Sequence, residues 1–421
     1  MTVQITPSAS AMTVGAMAAA GATHLAVDLV GGGFAALLPS ITERLALSST
    51  GAGALVALFS VSALGSQPLM GGLADRFNSR HVTAVAAVVA AAVLAAAAVV
   101  TSVAALLIVI LVGGLASAAF HPSGAILARR VGPGSPENSV AVFAAAGTVG
   151  LALGPIAAVA LADGARWWGL LLAVPALLVA PLIWWGSRAL APGVFAARGP
   201  RPTNVILLRG EVPKLVAAAT LVAIASTSIA STLPRWIADE PGRGTTDPAI
   251  GLALATFSVA AAAGGVAGGR LATRVGSARL LRVSLLAAAV PAVALAFATP
   301  ATAASFLALF LTGFLIGPAI PLLLVAAQNE APERAATASG MIMGLSHGLA
   351  GVAFIGVSVV IGTAGYGAGL LTGAAALVPA AFIVRTRIAD VGPSLTDTAR
   401  CVIATCRCLV NGPDPDLPLA A

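Results

Sequence analysis

Apolar residues run along this chain in long blocks, separated by short polar turns. Twelve blocks reach roughly the 20 residues that a helix needs to cross a bilayer. They cover residues 16–39, 51–73, 82–102, 104–128, 139–162, 166–187, 214–235, 249–273, 279–298, 303–327, 336–361 and 365–385. The blocks are too long for strands and show no apolar/polar alternation. Many are rich in Ala and Gly, which lets neighbouring helices approach closely. The turns at Thr101–Ser102 and Thr299–Ala303 carry almost no charge and mark their boundaries weakly. Met1 to Ala11 holds no basic residue, so the first block reads as a retained helix and not as a cleaved signal. The pattern predicts an all-α membrane protein of twelve transmembrane helices.

Composition agrees. Of 421 residues, 59% are apolar and 9% charged, where a water-soluble domain carries about 25% charged residues. Too little charge remains to cover a globule of this size, so lipid must be the solvent for much of the surface. The balance is basic, +7, but the Arg residues gather on no single face or helix, and nucleic acid is excluded as a partner. They fall instead in the turns. With the N-terminus in the cytoplasm, the cytoplasmic segments hold Arg76, Arg80, Arg129, Arg130, Arg188, Arg198, Arg201, Arg209 and Lys214. They also hold Arg270, Arg274, Arg279, Arg282, Arg334, Arg385, Arg387, Arg400 and Arg407. The other face holds Arg44, Arg166, Arg235 and Arg243, so the split is 18 against 4. That is the asymmetry expected of a membrane protein with both termini inside, and a wrong helix count would scramble it.

The chain also repeats itself. Residues 188–213 are the longest internal polar stretch and divide the blocks six and six, giving halves at 1–187 and 214–385 with a tail at 386–421. Leu38–Pro39, read as closing the first helix, matches Leu233–Pro234 at an offset of 195. Gly71, Leu73, Ala74 and Arg76 match Gly269, Leu271, Ala272 and Arg274 at 198. Pro122 matches Pro318 at 196, and Gly147 and Gly154 match Gly344 and Gly351 at 197. The near-constant offset predicts two pseudo-symmetric six-helix halves of like orientation, an architecture that places a transport site at their interface.

Between the second and third blocks the chain reads Gly71-Gly72-Leu73-Ala74-Asp75-Arg76-Phe77-Asn78-Ser79-Arg80. Gly72 permits close helix contact, and Asp75 with Arg76 and Arg80 can form charge-assisted hydrogen bonds at the membrane boundary. The segment resembles the signature loop of the major facilitator superfamily, with Asn78 in place of its usual Gly. The resemblance implies the major facilitator fold and a cytoplasmic latch made by Gly72, Asp75, Arg76 and Arg80. Thr273 takes the Asp position in the second half, so the latch is expected on one side only.

Ionisable groups inside the helices carry the candidate chemistry. Only Asp28 among the acids lies well within an apolar block, with His24, His121 and His347 among the histidines. His24 and Asp28 stand one turn apart on one helix face. At roughly 1.5 Å per residue, all four fall between the inner third of the membrane and its midplane. A buried charge costs several kcal/mol unless paired, so they should face the bundle interior. A carboxylate held between desolvation and a neighbouring cation can take and release a proton as its access to water changes. The bland reading is a hydrogen-bonded packing pair.

The same residues resemble the fosmidomycin-resistance-like branch of that superfamily. The likeness rests on His24-x-x-x-Asp28, Gln67-Pro68, Phe120-His121-Pro122, Ala128-Arg129, and the run Phe143-Ala144-Ala145-Ala146-Gly147-Thr148-Val149-Gly150-Leu151-Ala152-Leu153-Gly154-Pro155. Ser123 and Ile126 replace a Glu and an Arg common in that branch. What the resemblance implies is proton-coupled efflux of a small molecule by alternating access; their placement inside the helices at matched depth makes His24, Asp28, His121 and His347 the candidate proton or substrate sites. Import of a small anion, and a membrane enzyme using these groups on lipid, are the alternatives.

Gly147, Gly150 and Gly154 form a smooth helix face, and Pro155 frees a carbonyl and invites a bend. His347 falls on the repeat position of Gly150. Ser226, Thr227, Ser228, Ser231 and Thr232 give the seventh block a polar face, which suits a cavity lining or simple bonding to the backbone. Cys401, Cys406 and Cys408 in the tail read as free thiols. No nucleotide-binding loop occurs, no cofactor or metal site is expected, and the expected partners are a small-molecule substrate, protons and membrane lipid, the chain acting as a monomer.

Overall fold

A computed structural model describes residues 7–74, 79–131, 136–162, 164–187, 210–331, 338 and 340–383. Among them there are helices and no strand. The linker 188–213 lies largely, and the tail 386–421 entirely, outside the described residues.

The first five helices are α1 (Pro7–Arg44), α2 (Ser49–Phe59, continuing through Ser60–Gly65 and Gln67–Ala74), α3 (Ser79–Ala95), α4 (Val103–Val131) and α5 (Pro136–Ala162). α6 is broken into Arg166–Ala173, Val174–Val179 and Leu182–Ser187. Then follow α7 (Val212–Ala238), α8 (Pro248–Val275), α9 (Ser277–Ala296) and α10 (Ala303–Ile316, resuming at Ala319–Glu330). Local sequence sets several starts. The Ser48 hydroxyl accepts from Gly51 N–H at α2, Asp247 caps α8 ahead of Pro248, and Thr302 with Ser305 forms a capping box at α10.

The last apolar helical stretch, Met341–Ile383, has 43 residues. A straight helix of that length would run about 65 Å, twice the thickness of the hydrocarbon core. Gly365 breaks it with φ 87 and ψ 173, a conformation that L side chains resist. A β-carbon on Gly369 would strike the Ile361 side chain, although eight residues of straight helix would hold them about 12 Å apart. The stretch is therefore a hairpin of two spans: α11, residues 341–364, and α12, residues 366–383. Among the described residues, ten earlier helices and these two match the twelve that the hydrophobic blocks predict.

Two boundaries are corrected. Pro39 does not end α1, nor Pro234 α7; both helices run past their prolines, to Arg44 and Ala238. A proline deprives one carbonyl of its donor, and packing against neighbours makes this tolerable inside a membrane bundle.

Surface and core are distributed as lipid demands. Ile108, Leu178, Val290 and Phe297 are exposed. Inside, the apolar core has three parts. One, at the end where α1 begins (the near face), joins Ala16, Ala87, Leu127, Phe143 and Ile183 of α1 and α3–α6. A second, at the same end of α7–α12, joins Leu215, Leu281, Leu323, Ile342 and Leu377. The third lies at the opposite, far face and unites both halves, with Phe34, Leu37, Leu106 and Leu172 packed with Leu233, Trp236, Phe257 and Phe354. Every helix except α2, whose clustered residues Leu55 and Val56 lie at the far face, contributes to a cluster at each end. The halves share a core on the far face and keep separate cores on the near face.

Contacts between halves follow two-fold exchange: α2 packs on α11, α5 on α8, and α1 on α7. α2 and α11 each carry a π-helical turn, Ser60–Gly65 and Met341–Leu345, and the two turns touch. The internal repeat does not extend to every matched glycine. Gly147 and Gly154 face α1, whereas Gly344 and Gly351 face Leu64 and Ser60 of α2. A π turn holds one residue more than an α turn, so the faces beyond it fall out of the phase a straight alignment assumes.

Candidate functional site

α1, α4 and α5 meet closely because small residues line their contacts. Gly150 and Gly154 of α5 leave no room for a β-carbon against the carbonyls of Leu25 and Leu29 on α1. Gly32 of α1 returns the contact: its β-carbon would lie 2.8 Å from the Leu151 carbonyl, the one that Pro155 strips of its helical donor. Gly147 stands at the same seam, one turn earlier.

This approach brings His24 and Asp28 of α1 against His121 of α4. His24 Nε2 lies 3.2 Å from Asp28 Oδ2, and His121 Nε2 lies 3.0 Å from Asp28 Oδ1. The two imidazoles bracket one carboxylate, each on its own oxygen. The histidine rings are 5.2 Å apart and nearly perpendicular. His24 stacks on Phe143 at 4.0 Å and tilts against Phe120 at 5.6 Å. Side-chain exposure is 8% for His24 and 12% for Asp28, but 22% for His121, so His121 is the least enclosed member of the cluster.

The remaining ring nitrogens fix the chemistry. His24 Nδ1–H donates to the Phe143 carbonyl at 2.7 Å, and His121 Nδ1–H donates to the Ser117 carbonyl at 2.7 Å. A carbonyl only accepts, so both Nδ1 atoms carry hydrogen and both Nε2 atoms bear the lone pair of the neutral ring. Each Nε2–carboxylate contact then needs a positive centre between its partners. Two protons satisfy both contacts and leave the cluster with formal charge +1; with one proton it is neutral, with none −1. Three side chains thus offer two exchangeable proton places.

His347 is not brought into this cluster. Its Nδ1 faces the Met343 carbonyl at 2.8 Å on its own helix, and among the described residues no contact ties it to His24, Asp28 or His121. Of the signature loop, Asp75 and Arg76 lie outside the described residues, Gly72 falls within α2, and Arg80 is half-buried in the first turn of α3. On α7, Ser226 bonds back to the Val222 carbonyl at 3.1 Å, while the buried Ser228 and Thr232 hydroxyls have no partner among the described residues. Sequence reasoning missed Phe143 as a site residue. It lies one turn before Gly147 on the α5 face turned to α1, and that spacing was the available signal.

The fold and the matching family agree. The family model of the Major Facilitator Superfamily matches residues 20–355, and the chain belongs to that superfamily: it is a multi-pass membrane transporter and not an enzyme. No curated protein matches it in sequence. Among solved structures it is similar to the nucleoside transporter NupG, at 17% identity and TM-score 0.68, covering 87% of this chain and 97% of that one. A variant form of NupG gives 17% identity and TM-score 0.70 over 88% and 98%. A POT family transporter in complex with 5-aminolevulinic acid gives 11% identity and TM-score 0.71 over 87% and 94%. At these identities the likeness is one of fold.

Proposed function

We propose that this chain is a proton-coupled exporter of a small molecule, with Asp28, His24 and His121 as its coupling site. The observation that carries the reading is the buried Asp28 carboxylate held between two imidazoles at 3.0 and 3.2 Å. Ionisable groups inside a membrane persist where they pair and work. Protonation changes the formal charge of the cluster by whole units in a low-dielectric interior. Such a change biases any conformational equilibrium that alters the cluster's access to water. The split core on the near face, beside the more exposed His121, supplies the access that the near side needs.

The reading includes the fosmidomycin-resistance-like branch, which rests on the His24, Asp28, Phe120-His121-Pro122 and Gly147 to Pro155 residues. It places the chain in the cytoplasmic membrane as a monomer with both termini inside, which makes the near face cytoplasmic. It divides the chain into halves 1–187 and 214–385, a linker 188–213 and a tail 386–421. Asp75, Arg76 and Arg80 with Gly72 remain the proposed latch, and Gly147, Gly150, Gly154 and Pro155 the bending element. His347 stands apart from the coupling site and is proposed only as a substrate contact.

The test begins with resistance profiling of a deletion strain against a compound panel. Everted vesicles are then given a compound so identified. Proton movement driven by that compound in the wild type, and absent in Asp28→Asn, is the expected result. Normal coupled exchange in Asp28→Asn overturns the assignment. Net uptake of the compound by whole cells would instead make the chain an importer.

A further inference from the structure

The His24–Asp28–His121 cluster has a second property that proton exchange does not require. Its donor atoms, one from each residue, lie within 4.8 Å of one another. His121 Nε2 to Asp28 Oδ1, 3.0 Å, and His24 Nε2 to Asp28 Oδ2, 3.2 Å, are each close to one edge of a tetrahedron, about 3.4 Å when metal–ligand bonds are about 2.1 Å long, with the carboxylate offering an oxygen to either ring. Both imidazoles turn a lone pair to the same carboxylate, and both are held in that tautomer by Nδ1–H bonds to the Phe143 and Ser117 carbonyls. This is the outer-shell arrangement that orients histidines around a metal. Phe120 and Phe143 press on the His24 ring and leave it little freedom to swing away.

We propose that His24, Asp28 and His121 form an open three-ligand site for a single divalent transition-metal ion of the zinc–cobalt type. The geometry departs from the sequence expectation of no metal site, because α1 and α4 are brought together only in the fold. Two neutral imidazoles and a carboxylate are borderline ligands suited to zinc or cobalt and poorly matched to calcium or magnesium, which favour all-oxygen shells. Three protein ligands leave a fourth position open, and the partial exposure of His121 marks the side from which water or a substrate group would fill it. Charge permits the exchange. A divalent ion has the same charge as the two protons that satisfy the same contacts, so either occupant leaves the cluster at +1. The ion would bridge α1 to α4 within one half. The proposal stands on donor geometry and does not rest on proton coupling.

The experiment uses the full-length protein, purified in detergent without a polyhistidine tag and titrated with Co²⁺. One ion per chain is expected, with the intense visible ligand-field absorption of four-coordinate Co²⁺, displaced by Zn²⁺. The absorption should be lost in His121→Ala and in Asp28→Asn. It should persist when Cys401, Cys406 and Cys408 are all replaced by Ser, which removes the competing thiols of the tail. If Asp28→Asn does not fold, His121→Ala decides. Absence of the four-coordinate spectrum in the wild type, its survival in His121→Ala, or its loss with the cysteines overturns the proposal. Vesicle proton movement is measured in metal-free buffer, so failure to bind Co²⁺ leaves the coupling assignment standing. Loss of coupling with Co²⁺ binding intact removes that assignment alone.

Discussion

Gly147 lies directly against Asp28: a β-carbon on the glycine would stand 2.6 Å from Asp28 Oδ2 and 2.5 Å from His24 Nε2. The helix-packing motif of α5 and the ionisable cluster of α1 are therefore one structure. Packing at this glycine sets the space in which the carboxylate and imidazole sit.

Gly147→Ala should displace His24 and Asp28 from each other and abolish compound-driven proton movement in vesicles. The overpacking cost, about 1–3 kcal/mol, should also lower the thermal midpoint of the purified protein. Gly31→Ala is the control. A β-carbon there meets nothing within 4 Å, so transport and thermal midpoint should match the wild type.

The two histidines outside α1, His121 and His347, should separate in function. His121→Ala removes one of the two carboxylate partners and should reduce proton-coupled transport by about a hundredfold or more, the scale on which a positioned proton-transfer group contributes. His347→Ala should leave proton movement per compound transported unchanged, whatever it does to apparent affinity. Initial rates across a compound concentration series in everted vesicles distinguish the two. Equal loss of coupling in both variants would mean that His347 joins the cluster in another conformation.

Gly365→Ala should destabilise the α11–α12 hairpin. A backbone at φ 87 and ψ 173 is essentially open to glycine alone and costs an L residue about 1–3 kcal/mol, and no compensating contact is available, since a β-carbon there meets nothing within 4 Å. A lower thermal midpoint with the ligand-binding core intact is the expected outcome.

Tyr366, next in sequence, donates its hydroxyl to Asp239 at the end of α7, and Arg235 approaches the same carboxylate at 3.7 Å. Tyr366→Phe should cost about 0.5–1.5 kcal/mol, read as reduced thermal stability. Transport should persist, because the contact lies at the far face, away from the cluster.

Much of this molecule was readable from the order of its residues. Lipid makes the chain declare its helices, since each must be apolar over the full width of the bilayer, and even the hairpin at Gly365 appeared as two blocks. His24 and Asp28 could be paired because one helix turn joins them. Their bond to His121 could be suspected only from matched depth, because nothing local links α1 to α4. His347 shows the limit of that argument: depth is one coordinate, and helix rotation, altered here by the π turn at Met341–Leu345, is another. Pro39 and Pro234 misled for a related reason. Proline is a local stop signal that lateral packing overrides.

The unequal division of the apolar core has an energetic consequence for turnover. To open at the far face, side chains such as Leu37, Trp236 and Phe257 would have to part and meet water, at about 25 cal/mol for each Å² uncovered. The near face must therefore zip shut as the far face parts, its two clusters joining into one, so that wetting at one end is offset by drying at the other. A substitution that weakens near-face closure would strand the protein in the arrangement described here, without touching a proton, a ligand or a hinge.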